Sequence, residues 1–145
     1  MRRIDEIIIH CAATPEGRAD TAEDIRRWHT APKPKGNGWK DIGYHFVILL
    51  DGTIQQGRKI ELAGAHCTGH NRFSIGVCYI GGKTEDGKTS KDTRTEAQNA
   101  ALKDLVIKLQ QLYQIPLENI HGHNHYANKA CPCFDVEQWK QSLQS

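Results

Sequence analysis

The chain is expected to fold as one α/β domain (α+β in the looser sense), a sheet with helices packed on it. Three observations carry that expectation. Short β-branched apolar runs recur at 4–12, 44–50 and 74–80. A long amphipathic stretch lies between them and the C-terminus, which is the mixture that layered sheet-and-helix domains require. The 145 residues contain no repeat and no linker, and they suffice for a single core, so one domain is assigned to 1–145.

Residues 4–12 read as a buried strand, too short and too rich in isoleucine for a helix. Thr21-Ala-Glu-Asp24 opens a helix by a capping-box pattern, with Ile25 and Trp28 on one face, running to about His29. The segment 32–38, Pro-Lys-Pro-Lys-Gly-Asn-Gly, cannot continue that helix and reads as a loop. Residues 44–50 form a second strand. Asp51-Gly52 marks a hairpin, and 53–56 is the returning strand.

Residues 74–80 are a further buried strand, with Cys78 packed as a small hydrophobe. The polar, glycine-rich stretch 81–93 reads as a mobile loop. Thr95-Glu-Ala-Gln98 caps a long helix whose stripe is Leu102, Leu105, Val106, Leu109, Leu112 and Tyr113. Pro116 lies beyond its end. Ile120-His121 reads as a short strand, and Asp135 caps a last helix carrying Val136, Trp139 and Leu143.

Composition narrows the function classes. With 38% hydrophobic and 25% charged residues, the chain has the make-up of an ordinary globular protein. The net charge of +2, from 19 basic and 17 acidic residues, lacks the basic stripe that nucleic acid demands. No apolar run approaches a membrane span. The opening Met1-Arg-Arg is basic, but Asp5 and Glu6 interrupt it and no cleavage site follows. Cytoplasmic synthesis without a signal peptide is expected, with the five cysteines reduced. No nucleic-acid or membrane partner is expected, and a monomer is the default.

The chemistry concentrates in 121–133, His-Gly-His-Asn-His-Tyr-Ala-Asn-Lys-Ala-Cys-Pro-Cys. Imidazole and thiolate are the side chains that best bind a borderline-soft divalent metal, usually zinc. His10, closing an apolar run at the far end of the chain, is a further candidate. In an extended segment His121, His123 and His125 would face the same way, so only some reach one ion. Cys131 and Cys133 share that alternation.

A closed structural site would use four protein ligands; a catalytic one uses three and leaves a position for water. One Cys-x-Cys pair without a second favours the open form. Such a metal supplies hydroxide at neutral pH and polarises a carbonyl. Amide hydrolysis further needs oxyanion stabilisation and a proton for the leaving amine. Lys129 stands near the metal by connectivity, and Tyr44 and His45 are candidate proton donors.

The same residues resemble the zinc-dependent N-acetylmuramoyl-L-alanine amidases, the family of short phage lysozymes and peptidoglycan recognition proteins. The resemblance covers His10-Cys-Ala-Ala-Thr14, Ile25-Arg-Arg-Trp-His29, Gly43-Tyr-His-Phe46, Asp51-Gly-Thr53, Ser74-Ile-Gly-Val-Cys78, Gly81-Gly82, Lys129-Ala-Cys-Pro132 and Phe134-Asp135. It implies a mixed central sheet flanked by helices, with one zinc in a surface cleft. It assigns the zinc ligands to His10, His123 and Cys131. Tyr44 then assists water and proton transfer, Lys129 stabilises the oxyanion, and His66 matches a cleft-lining position.

The implied activity is cleavage of bacterial peptidoglycan between the lactyl group of N-acetylmuramic acid and L-alanine of the stem peptide. A phage or prophage lytic enzyme, reaching the wall after release or delivery, fits the missing export signal. The alternative within the family is a non-catalytic peptidoglycan-binding protein. Cys133 departs from the phage relatives, which carry a small non-ligating polar residue there. The 32–37 insert lies on the rim before Tyr44.

Overall fold

A computed structural model describes residues 2–144; Met1 and Ser145 lie outside them. The strands are β1 (Glu6–Cys11), β2 (Thr14–Pro15), β3 (Phe46–Ile48), β4 (Ile54–Gln56), β5 (Ser74–Tyr79), β6 (Gly82–Lys83) and β7 (Ile120–Gly122). The helices are α1 (Ala22–Thr30), α2 (Glu96–Tyr113) and the short α3 (Val136–Trp139).

Ile7, Ile8 and Ile9 of β1 are each 0% exposed, so the strand is covered on both faces. An uninterrupted isoleucine run calls for that central place, and the sheet order β4-β3-β5-β1-β7 supplies it. β1 runs parallel to β5 and β7, and β3 runs parallel to β5. Only β4 is antiparallel, returning from β3 through the expected Asp51-Gly52 turn. The central sheet is therefore mixed, as the resemblance implied.

Strand alternation divides the core into two sides. Ile7, Ile9, Ile75, Val77 and Tyr79 meet Leu102, Leu105, Val106 and Leu109 of α2. Burying each such side chain stabilises the fold by roughly 1.5–3 kcal/mol. Val47, Cys78 and Ile80 cluster with Ala22 and Ile25 of α1. Ile8 and His10 alternate with Ile7 and Ile9, which puts His10 on the α1 side of the sheet.

Local signals fix the helix starts. Thr21 and Thr95 each form a complete capping box, with Asp24 and Gln98 as the reciprocal partners. Asp135 caps α3 by accepting from the Gln138 amide at 3.2 Å. No described helix is long and apolar enough to cross a membrane.

Four expectations need correction. The strand expected over 44–50 covers only Phe46–Ile48, so Tyr44 and His45 precede it. Leu112, counted in the α2 stripe, is 73% exposed. At 100° per residue it sits at the stripe's rim in the final turn. The 81–93 segment is not free: β6 pairs with β2, and the Thr14 and Thr93 hydroxyls accept from the Gly81 and Gly82 amides at 2.9 and 2.8 Å. Finally, His123–His125 is a 3-10 turn rather than extended chain, so the three histidines do not share one face.

Candidate metal centre

His10 is the penultimate residue of β1 and is 1% exposed. His123 begins the turn that follows β7, the strand paired to the other edge of β1. Cys131 lies eight residues further on, and the Cys11 amide donates to its sulfur at 3.2 Å. Adjacent strands thus deliver two imidazoles, and a returning loop delivers a thiol. One ligand atom from each lies within 4.8 Å of the others.

His10 Nδ1 and Cys131 Sγ are 3.9 Å apart. Nitrogen and sulfur ligands on a tetrahedral zinc span about 3.6 Å, so this pair is close to metal-binding spacing as it stands. Burial first, then His66, His123 and Lys129, hold the His10 pKa well below its ordinary value. Burial and then Lys129 lower that of His123. Both rings are neutral at pH 7, the form with a lone pair to give. Donor set and spacing both suit zinc.

Behind His10 stands His66, 8% exposed, with its Nδ1 2.8 Å from His10 Nε2. His66 Nε2 lies 3.2 Å from the Ser74 hydroxyl, which donates to the His70 carbonyl at 2.6 Å. One tautomer pattern satisfies this chain. His10 Nε2–H donates to His66, His66 Nε2–H donates to Ser74, and His10 Nδ1 is left free toward Cys131. Gly76 makes the space: a Cβ there would come within 2.6 Å of the His66 ring.

The centre opens into a groove of about 310 Å³ whose lining includes His29, Trp39, Tyr44, His66, His123 and Lys129. Tyr44 packs on His10 with ring centroids 5.1 Å apart. Burial, then Cys78, Cys131 and Cys11, push its phenol well above the ordinary value, so it stays protonated as a donor. Lys129 is exposed on the same groove.

Sequence reading missed two wall residues, His29 and Trp39, whose rings meet at 5.0 Å. His29 accepts from the Gly43 amide at 3.0 Å, and the Trp39 amide donates back to the His29 carbonyl at 3.1 Å. The available signal was an isolated tryptophan in a glycine-rich loop directly ahead of Tyr44. The 32–37 insert folds onto the end of α1, with Gly36 against the Trp28 and Ala31 carbonyls, and leads straight into Trp39.

Four other candidates fall outside the cluster. His45 is 0% exposed, accepts from the Gly76 amide at 3.0 Å and donates to the Leu62 carbonyl at 2.8 Å. It pins β3 to β5 and is no proton donor at the groove. Cys133 turns the other way, with its sulfur 3.4 Å from the Gly82 carbonyl and 3.9 Å from Cys11 Sγ. His121 and His125 stack on each other, centroids 4.0 Å apart.

Fold and site together define a class: a mixed-sheet α/β protein with a two-histidine, one-cysteine cluster that meets a groove at His123. The chain belongs to the N-acetylmuramoyl-L-alanine amidase family, whose family model matches residues 1–134. It is similar to the endolysin of Escherichia phage T7, 39% identical over 135 residues, covering 93% of this chain and 84% of the relative. Among solved structures it is similar to the N-acetylmuramoyl-L-alanine amidase LysC from Clostridium intestinale URNW, with TM-score 0.80 and 26% identity over 99% of this chain and 87% of that one. Drosophila PGRP-LB is similar at TM-score 0.73 and 27% identity, over 91% and 76% of the respective chains.

Proposed function

We infer that this chain is a zinc-dependent peptidoglycan amidase, cutting between the lactyl group of N-acetylmuramic acid and L-alanine of the stem peptide. The observation that carries the reading is the convergence of His10, His123 and Cys131 within 4.8 Å, beside a groove that His123 lines together with Tyr44 and Lys129. Its membership of the amidase family and its likeness to phage endolysins support the same bond and the same wall polymer.

His10, His123 and Cys131 would hold the ion. When bound, zinc acidifies water and polarises a carbonyl. The remaining work falls to the chain's own side chains. Attack on the amide carbonyl throws negative charge onto its oxygen, and the Lys129 ammonium, exposed on the groove, offsets that charge. The carbon–nitrogen bond breaks only if the departing L-alanine nitrogen gains a proton. Tyr44, held protonated in the groove wall, supplies the hydrogen-bond donor for that transfer. His66 fixes the His10 ring so that its free nitrogen points at Cys131. Trp39 and His29 give the groove an aromatic wall on which a glycan or stem peptide rests. The enzyme acts as a monomer on the cell wall after release or delivery.

Digestion of purified peptidoglycan with end-group analysis tests this. New L-alanine amino termini without new reducing sugars are expected, lost on chelation and regained with zinc. Reducing ends would indicate a glycosidase, and binding without released ends would indicate a recognition protein.

A further inference from the structure

We propose that His121, His125 and Glu137 form a second divalent-cation site, distinct from the centre in the groove and built for an ion that favours imidazole. The three come from separate elements: the β7 strand, the 3-10 turn at His123–His125, and α3. One ligand atom from each lies within 4.8 Å of the others. None of the three lines the groove; His125 and Glu137 instead line a separate hollow of about 450 Å³.

The carboxylate is already aimed. Lys140, 6% exposed, binds Glu137 Oε1 at 2.9 Å and the Ile120 carbonyl at 3.0 Å. That anchor leaves Oε2 toward His121 Nδ1, 2.9 Å away. Nitrogen and oxygen ligands on a tetrahedral zinc span about 3.3 Å, so a few tenths of an ångström of opening would admit an ion between them.

The second imidazole is what a plain ion pair leaves unexplained. The His125 side chain makes no hydrogen bond among the described residues and stacks on the His121 ring, 6° between planes and 4.0 Å between centroids, so this exposed ring has to turn for both nitrogens to meet one ion. Tyr126 stands edge-on to both rings, at 5.6 and 4.8 Å. Two imidazoles and one carboxylate oxygen within 4.8 Å of one another are the donor set of zinc, nickel or copper rather than of magnesium or calcium. Glu137 is 48% exposed along its side chain, so an ion reaches the site from solvent. Once seated, the ion ties the turn that carries His123 to α3.

The test counts zinc. The chain is dialysed to equilibrium against buffered Zn²⁺, and metal per chain is measured by elemental analysis. Wild type is expected to take up two ions, His121→Ala/His125→Ala one, and Cys131→Ser one. Glu137→Gln, which preserves shape and the Lys140 contact, is expected to lose the same ion as the double histidine variant. Cobalt separates the sites by colour. The thiolate-to-metal band of Cys131 should persist in His121→Ala/His125→Ala, while the weaker bands of the nitrogen–oxygen site disappear. Circular dichroism confirms that each variant is folded. One ion in wild type, or two retained in folded His121→Ala/His125→Ala, overturns the proposal. Either result leaves the amidase reading standing, because that is judged on peptidoglycan ends.

Discussion

His66 Nδ1 lies 2.8 Å from His10 Nε2, and no other described side chain comes within hydrogen-bonding reach of that nitrogen. The contact fixes which His10 nitrogen is free and where its ring points. An outer partner of this kind is worth about 10- to 100-fold in metal affinity. His66→Phe, which fills the space without an acceptor, is therefore expected to weaken zinc by that factor in competition with a chromophoric chelator. Unchanged affinity in the folded variant would mean that His66 merely packs.

The two neighbouring thiols should behave as opposites. Cys131→Ser is expected to abolish zinc binding at the groove, whereas Cys133→Ser keeps it. The Cys133 sulfur faces the Gly82 carbonyl, which a serine hydroxyl also satisfies, so stability should move by no more than about 1 kcal/mol. Thermal melts and metal analysis of the two variants decide it. Loss of the groove metal from Cys133→Ser alone would reverse the assignment.

Tyr44→Phe and Lys129→Ala are expected to bind zinc as wild type does yet turn over slowly. Removing one oxyanion donor costs about 100- to 1,000-fold in kcat, and removing a proton donor costs a similar amount. Lys129 is exposed, so its loss should leave the melting temperature nearly unchanged. Wall-lysis rates at matched zinc occupancy give the readout.

Much of this was legible in the sequence, and the boundary is physical. β1 and α2 announce themselves because their apolar periodicity is local, and the capping boxes at Thr21 and Thr95 are complete within four residues. β2 and β6 are two residues each and exist through pairing of residues 68 positions apart in the chain, so nothing local marks them. The choice among His121, His123 and His125 failed on alternation alone, because the 3-10 turn rotates each side chain away from the last. Only the family's motif spacing separated His123 from its neighbours. His45 looked like a groove residue because it adjoins Tyr44, but a step of one along an extended chain reverses the face.

Acid should destabilise the metal-free protein in a defined window. Burial depresses the His45 pKa from 6.5 to about 4, so the unfolded chain takes up a proton that the folded one refuses. The resulting stability is complete above about pH 6.5 and is lost as pH falls toward 4, about 3 kcal/mol in all. His45→Asn retains an acceptor for the Gly76 amide without a titrating ring, and should flatten the decline in melting temperature measured with chelator present. A slope unchanged in that variant would assign the acid sensitivity to other groups.

Gly76 gives a test at a position that is not itself a proposed ligand. It lies in β5 opposite Ile8, and a methyl group there would meet the His66 ring at 2.6 Å, closer than any contact a packed core tolerates. The backbone is ordinary strand, so Gly76→Ala adds no conformational strain and acts through this collision alone. Overpacking of one carbon costs about 1–3 kcal/mol. The ring must swing, and it then releases both His10 Nε2 and the Ser74 hydroxyl. Gly76→Ala is accordingly expected to lower the melting temperature and weaken zinc together. The double variant Gly76→Ala/His66→Ala, which removes the colliding ring, should recover stability while metal affinity stays low. Recovery of both would show that zinc retention depends on the strand's packing and owes nothing to the imidazole behind His10.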